Sequence, residues 1–184
     1  MIQAQDVSKS YESNPVIKNI NLELKQGSIY GLIGANGAGK TTLIKTLCGI
    51  YAPDTGHVRL HDKDVYKDSD IRRNIAYVPD NIAFYNTFTV KDMKDFYKNI
   101  YNNWDEERYK TLREVFTFDE KKRIKHLSKG MKTQLLLLIA LSCKPEIILM
   151  DEPTSGLDPF IRKEVLNLIV QDVSSRSKIG RAHV

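Results

Sequence analysis

The sequence has little of what marks disulfide-stabilised or zinc-binding proteins. It contains two cysteines, Cys48 and Cys143, far apart in the chain, and four histidines, without any Cys-x-x-Cys motif. These counts exclude a disulfide scaffold and a zinc site of the usual spacing. Both thiols are therefore predicted to be free and buried.

Long apolar runs and a strong charge imbalance are also missing. The longest apolar run, Leu135–Leu141, is far shorter than the roughly 18 residues that a membrane-spanning helix requires. No basic and apolar leader opens the sequence, so no signal peptide is predicted. The 28 basic and 23 acidic residues give a net charge of +5 over 184 residues, which does not require a nucleic-acid partner. A globular chain is expected.

The first third of the chain predicts strands followed by a helix. Partial alternation of apolar and polar residues predicts strands at Ile2–Val7 and Ile20–Lys25, with a loop at Ser10–Pro15 between them. The more continuous apolar stretch Ser28–Ile33 is typical of a buried strand. A helix is predicted from Lys40 to Ile50, with Gly49 as its stop.

The rest of the chain predicts a helical region flanked by short strands. Strands are expected at His57–Leu60, Ile75–Val78 and Ile147–Met150. Apolar residues recur at helical spacing from Val90 to about Cys143, which predicts a helical lobe inserted into a sheet-containing core. A last amphipathic helix follows Pro159.

One glycine-rich segment fits the phosphate-loop pattern G-x-x-x-x-G-K-[ST] between a predicted strand and a predicted helix. Its residues are Gly34, Ala35, Asn36, Gly37, Ala38, Gly39, Lys40 and Thr41. Glycines let backbone N–H groups close around phosphates, and the following helix directs its positive end at them. Lys40 is expected to reach the β- and γ-phosphates, Thr41 to ligate Mg²⁺, and Thr42 to add a second hydroxyl nearby.

Two carboxylates, Asp151 and Glu152, follow the predicted strand Ile147–Met150. Because ligands of parallel sheets lie at the carboxyl ends of strands, these side chains are candidates for phosphate-site chemistry. Asp151 is expected to hold Mg²⁺, and Glu152 is the candidate catalytic residue that polarises the attacking water.

Together these motifs resemble the ATP-binding cassette (ABC) ATPase family. Residues 127–131 are similar to its Leu-Ser-Gly-Gly-Gln signature, and residues 155–158 match its D-loop. The signature residues are Leu127, Ser128, Lys129, Gly130 and Met131. The D-loop residues are Ser155, Gly156, Leu157 and Asp158. Tyr11 occupies the place of the aromatic residue that stacks on adenine.

The resemblance covers residues 1 to about 173 and implies an α/β fold: a P-loop NTPase core with a mixed sheet, an antiparallel β edge and an inserted helical lobe. The core would comprise residues 1–80 and 144–173, and the lobe residues 88–143. It also implies that two nucleotide-binding subunits, as a homodimer or heterodimer, enclose two ATP molecules with Mg²⁺. Each signature then acts on the partner subunit's ATP.

Three departures from the family pattern accompany the resemblance. Asp80 stands where the family usually has a Mg²⁺-sensing glutamine, so it is either a metal ligand or a solvated turn residue. Lys129 replaces a signature glycine and either assists binding near the γ-phosphate or points to solvent. Residues 174–184 form an atypical tail, interpreted as a truncation or a cloning remnant, in which His183 is a poor candidate for the family's switch histidine.

Two further segments carry open alternatives. The basic run Lys121–His126 is interpreted as a solvated face or as a site for anionic phosphates or headgroups. The aromatic segment Asn81–Phe88 is either a docking surface for a membrane partner or part of the packing of the helical lobe.

The resemblance favours the ATP-hydrolysing subunit of a bacterial ABC transporter, with an exporter as the expected subclass. Transmembrane permease subunits would be its partners, no nucleic acid is expected, and its place would be cytoplasmic, on the inner face of the cell membrane. Two alternatives stay open: a soluble ABC ATPase acting on ribosomes or DNA, and a truncated cassette that binds nucleotide without turnover.

Overall fold

The computed structural model describes residues 1–153 and 157–179, arranged as two compact units. One unit contains residues 1–75 and, of the described residues, 168–179, and the other contains residues 76–153 and 157–167. The domain limits expected from the sequence differ from this division and remain a prediction.

The first unit begins with an antiparallel hairpin of β1 (Ile2–Tyr11) and β2 (Asn14–Leu24). The strands are longer than the alternation predicts, and the expected loop from Ser10 to Pro15 is wrong, because Ser10 pairs with Pro15 and Tyr11 with Asn14. Only two residues form the turn. Glu12 has a φ of 55°, and this left-handed conformation is what such a tight turn requires.

Two more strands, β3 (Thr55–Leu60) and β4 (Lys63–Asp64), extend the hairpin into an antiparallel sheet of order β2-β1-β3-β4. A bulge interrupts β1 near Asp6, and Gly56 of β3 lies directly against it. Gly56 has a φ of 75°, and a Cβ there would overlap the carbonyl oxygens of Gln5 and Asp6. Only glycine fits this position without displacing the backbone.

The segment Ser28–Ile33 is not the buried strand that its apolar character predicts. It contains no regular element, and Ile33 is 96% exposed. A strand requires a neighbour for its backbone groups. Within the described part of the chain, the four-stranded sheet and the β5-β6 pair do not include residues 28–33.

Helix α1 (Lys40–Leu47) follows the glycine-rich segment, and the short helix α2 (Ser69–Arg72) follows β4. Helix α1 ends three residues before the expected Ile50. Gly49, with a φ of 70°, lies just beyond its cap, as expected of a stop.

Strand β5 (Ile75–Val78) pairs with β6 (Ile147–Met150), and the helices of the second unit lie between them in sequence. These helices are α3 (Val90–Ile100), α4 (Glu106–Arg113), a 3₁₀ turn (Ile124–His126) and α5 (Lys129–Ser142). The apolar run Leu135–Leu141 is buried, and α5 packs against α3 and α4. The expected helical insertion and mixed α/β class are confirmed.

Helix α6 (Pro159–Ile179) ends the described chain. None of the helices in residues 1–153 and 157–179 combines the length and apolar character needed to cross a bilayer.

Candidate functional site

The glycine-rich segment forms an exposed loop that leads into α1. Gly37 and Gly39 have φ angles of 80° and 88°, a left-handed region that residues with a Cβ rarely adopt. The N–H of Ala38 donates to the carbonyl of Ala35 at 3.2 Å, closing a turn inside the loop. Gly39, which the motif fixes, and Gly37, at one of its variable positions, are thus the loop residues whose backbone favours glycine.

Lys40 holds this loop together from the first residue of α1. Its Nζ donates to the carbonyl oxygens of Gly34 and Ala35 at 2.7 and 2.9 Å. The ammonium group therefore lies at the rim of the loop, where a phosphate would offer it stronger, charged acceptors.

The start of α1 has no side-chain cap. Gly39 is the N-cap and supplies no side-chain acceptor, and the first turn has no acidic residue. Thr41 is exposed and Thr42 is buried. An uncapped helix start with the macrodipole behind it suits phosphate, and the Thr41 hydroxyl is the oxygen ligand that the sequence predicted for Mg²⁺.

The loop is anchored by close packing at Gly39. A Cβ at this position would lie 3.0 Å from the carbonyl oxygen of Val16 and from a methyl carbon of Ile17. The motif glycine therefore allows close approach to β2 as well as the left-handed turn.

Tyr11, the expected adenine-stacking residue, lies at the end of β1 and is 43% exposed. Its ring meets that of Tyr51 edge to face, with centroids 6.1 Å apart. Tyr51 accepts a hydrogen bond from Lys45 at 3.4 Å. This bond lowers the pKa of Tyr51 most, and a hydrogen bond from Tyr11 lowers it further. Sequence reasoning missed Tyr51 and Lys45, which carry no motif.

The acidic pair follows β6 as predicted, in the second unit. The N–H of Asp151 donates to the carbonyl of Val78 at 2.8 Å, and Asp151 is buried. Glu152 is exposed and has a φ of 51°, which is uncommon for a glutamate.

The signature residues form the start of α5. Leu127 is buried, and the exposed Ser128 caps the helix by accepting a hydrogen bond from the N–H of Met131 at 3.2 Å. Gly130 and Met131 are half-buried in the first turn. The predicted helix start is present, and the Ser128 hydroxyl oxygen accepts one hydrogen bond in capping it.

Lys129 forms an ion pair with Asp80, 2.9 Å between Nζ and Oδ1. The sequence alternatives for these residues were a metal ligand or a solvated turn for Asp80, and the γ-phosphate or solvent for Lys129. The ion pair joins the two departures from the family pattern, which sequence reasoning treated as unrelated.

Only part of the D-loop lies among the described residues. Ser155 and Gly156 lie outside them, as do the last residues of the tail with His183. Leu157 is buried. The Asp158 carboxylate accepts hydrogen bonds from the N–H groups of Phe160 and Ile161, at 3.1 and 3.0 Å, and so caps α6.

The donor groups present suit Mg²⁺ rather than a softer metal. Within residues 1–153 and 157–179, no three His, Cys, Asp or Glu side chains cluster tightly enough to hold a metal ion by themselves. Mg²⁺ needs only one or two protein oxygens together with phosphates and water. The Thr41 hydroxyl and the Asp151 carboxylate are oxygen donors of this kind.

The fold and the phosphate loop define the chain as a domain of the P-loop NTPase class. A family model described as ABC transporter matches residues 17–155. The chain belongs to the ABC transporter family, in agreement with the resemblance found in the sequence.

Individual relatives support the same assignment. The chain is 35% identical to the ABC transporter ATP-binding protein YtrB of Bacillus subtilis, over 96% of this chain and 60% of YtrB. It is 33% identical to the bacitracin transport ATP-binding protein BcrA of Bacillus licheniformis, over 92% of this chain and 56% of BcrA. The chain thus spans less than two thirds of the length of either relative.

The solved structure of an ATP-binding subunit of an ABC transporter is also similar. It superposes with a TM-score of 0.87 at 26% identity, covering 95% of this chain and 75% of that one.

Proposed function

We propose that the chain binds and hydrolyses ATP as the nucleotide-binding part of a bacterial ABC transporter, an exporter in the first instance. The observation that carries this proposal is the phosphate loop, with Lys40 held at its rim by two loop carbonyls, in a member of the ABC transporter family. One relative, BcrA, is a bacitracin transport ATP-binding protein, which is in keeping with the exporter subclass.

Phosphate binding is assigned to the loop and to the start of α1. The N–H groups of residues 34–42 surround the phosphates, while Lys40 exchanges its carbonyl acceptors for β- and γ-phosphate oxygens. Tyr11 stacks on the adenine, with Tyr51 supporting its ring from the edge.

Thr41 and Asp151 are the residues that would hold Mg²⁺, which neutralises phosphate charge when bound. Glu152 orients the attacking water by accepting a hydrogen bond from it. Glu152 is exposed and so accessible to water, whereas Asp151 is buried. Asp80 is a further oxygen ligand only when it is released from Lys129.

We propose that a second nucleotide-binding subunit completes the hydrolytic unit, in a homodimer or heterodimer. The signature, with Ser128 and the backbone of Gly130 at the start of α5, would contact the partner subunit's ATP. The D-loop from Ser155 to Asp158 would lie beside that contact.

Transmembrane permease subunits are the proposed membrane partners, which would place the chain on the inner face of the cell membrane. The segment Asn81–Phe88 is the candidate docking surface, because Tyr85 is 59% exposed. Tyr85 also contacts Phe88 and Phe96, with ring centroids 5.0 and 5.8 Å away, so the cluster packs against α3 as well. The exposure of Tyr85 thus supports the docking surface, and its ring contacts support packing within the helical lobe.

The test is phosphate release from MgATP, measured against protein concentration beside an ATP-binding titration. We expect turnover to rise more than linearly with concentration, and Glu152→Gln to reduce it by roughly 10²–10⁴-fold while ATP still binds. Lys40→Ala should weaken binding about tenfold or more, because a charge-assisted contact is lost. Glu114→Gln and Lys67→Ala, both at exposed positions, are the matched controls.

The outcomes separate the alternatives. Binding without turnover would identify a cassette that lacks part of its catalytic apparatus, whereas absence of binding would refute the nucleotide function. In a pull-down with this chain as bait, recovery of ribosomes or DNA in place of a permease would favour a soluble ABC ATPase that acts on them.

A further inference from the structure

Tyr51 contacts Tyr11 within the first unit, in the segment that follows α1. The two rings stand at 84° to each other, with centroids 6.1 Å apart. A perpendicular contact of this kind covers at most one face of Tyr11 and leaves the other face to a nucleotide base. Because Tyr11 is 43% exposed at the end of β1, ligands in solution reach its ring.

Tyr51 is itself fixed in place by α1. It is half-buried, and Lys45, in the last turn of α1, donates to its hydroxyl at 3.4 Å. The Lys45 ammonium also lies 5.3 Å from the centroid of the Tyr51 ring, which is a cation–π distance. The backbone N–H of Tyr51 donates to the carbonyl of Lys45 at 3.2 Å. Side chain and backbone of Tyr51 are thus both tied to the helix that begins at the phosphate loop.

The strand residues just before Tyr11 are held by the same segment. Asp54 follows Tyr51 by three positions, and its carboxylate accepts a hydrogen bond from the N–H of Ser10 at 2.7 Å. The N–H of Asp54 donates to the carbonyl of Ser8 at 2.8 Å. Tyr11 is therefore held at two places, its ring by Tyr51 and the backbone before it by Asp54.

We propose that Tyr51 is a positioning residue for base binding, which holds the ring of Tyr11 ready to stack on the adenine. This inference rests on the proposed function, in which Tyr11 contacts the base and the loop before α1 binds the phosphates. An unsupported tyrosine next to a hairpin turn would have to be ordered by each nucleotide, and that ordering lowers affinity. Tyr51 orders the ring beforehand, and α1 becomes the common support of base and phosphates.

The first arm of the test measures the dissociation constants of ATP and of tripolyphosphate, which offers phosphates without a base. Tyr51→Leu should weaken ATP binding by about two- to tenfold, the range expected when one side chain must be ordered on binding. Its affinity for tripolyphosphate should stay unchanged, which also shows that the variant is folded around the loop. Tyr66→Leu, at a tyrosine of the same unit that is 47% exposed, is the matched control and should change neither constant.

The second arm examines whether Tyr51 acts through Tyr11. Tyr51→Phe keeps the ring contact, so its ATP affinity should stay within about twofold of that of the unmodified chain. In the background of Tyr11→Ala, Tyr51→Leu should have no further effect on ATP binding, because the ring that it positions is gone. Additive losses in the double variant would overturn the inference.

The outcomes distinguish this inference from the proposed function. Equal weakening of ATP and tripolyphosphate by Tyr51→Leu would show a general effect on the phosphate loop and overturn the positioning role. Unchanged ATP binding by Tyr51→Leu would overturn it as well. Both results would leave ATP binding by the unmodified chain, and with it the proposed function, intact. Absence of ATP binding by the unmodified chain would overturn both.

Discussion

The Glu106 carboxylate at the start of α4 is stabilised by three hydrogen bonds. It accepts hydrogen bonds from Lys94 and Lys98, both at 2.8 Å, and from the indole N–H of Trp104 at 3.1 Å. These hydrogen bonds lower the pKa of Glu106 from 4.5 to about 2, and the bond from Lys94 has the largest effect. They tie the start of α4 to α3.

This shift has a defined consequence for stability. Since the folded-state pKa lies below the unfolded value, the carboxylate stabilises the fold above about pH 4.5, and that contribution is lost as the pH falls toward about 2. Glu106→Gln should lower the free energy of unfolding by about 1 kcal/mol near neutral pH, a figure that allows for solvent screening of a side chain 34% exposed.

Urea unfolding as a function of pH checks this expectation, with Glu107→Gln as the control at a side chain 83% exposed. The difference between Glu106→Gln and the unmodified chain should narrow as the pH approaches 2. A difference that stays constant across this range would contradict the electrostatic origin.

Cys48 and Cys143 are both buried, as the sequence predicted, and burial raises the pKa of each thiol to about 12. Because the thiolate is the reactive form, we expect almost no reaction with Ellman's reagent in the folded chain at neutral pH. Both thiols should react once urea unfolds the protein. Rapid labelling of either cysteine without denaturant would show that its surroundings open locally.

The residues that sequence reasoning identified are those whose chemistry is written in a short motif. Gly34, Gly39 and Lys40 could be identified because the phosphate-loop pattern fixes their spacing, and the structure places Gly39 and Lys40 at the start of α1. The Asp80–Lys129 contact could not be predicted, because side chains 49 residues apart meet only after β5 and α5 have folded.

At the scale of elements, the start of α3 is fixed by a reciprocal cap. The Thr89 hydroxyl accepts from the N–H of Asp92 at 3.1 Å, and the Asp92 carboxylate accepts from the N–H of Thr89 at 2.9 Å. Thr89→Ala should cost about 1 kcal/mol of unfolding free energy.

Thr117→Ala, at an exposed loop position, is the control and should stay within about 0.5 kcal/mol. Thermal and urea unfolding followed by circular dichroism measure both variants. Equal losses in the two variants would show that the cap contributes nothing beyond a generic threonine effect.

Element types could be predicted where a segment completes its own hydrogen bonds or pairs with a near neighbour. The helices α1 and α5 and the hairpin strands fall in this group, although the strand ends were misjudged. Ser28–Ile33 shows the limit: its apolar residues are those of a buried strand, yet strand formation depends on a neighbour that a local pattern does not contain.

At the scale of the whole molecule, Ser28–Ile33 is an exposed apolar segment with aggregation potential. Ile29 and Ile33 are 57% and 96% exposed. Exposed apolar side chains on a segment outside any sheet promote association between chains. We expect light scattering that rises with protein concentration, with or without nucleotide, and that Ile33→Lys reduces.

Ile50→Lys, which changes a 49% exposed isoleucine outside this segment, is the control and should leave the scattering unchanged. If both substitutions reduce scattering equally, net charge rather than the segment would be the cause. Association that requires ATP would instead belong to the proposed nucleotide-dependent pairing of subunits.

The contact of Lys40 with Gly34 and Ala35 has an entropic consequence. A glycine-rich loop without internal support would have to be ordered by each arriving anion, at a conformational cost for every residue fixed. Here Lys40 already braces the loop, so a phosphate that binds exchanges two acceptors at 2.7 and 2.9 Å instead of ordering a flexible chain. The site is preorganised by the Lys40 ammonium group, which is also the group proposed to bind the phosphate.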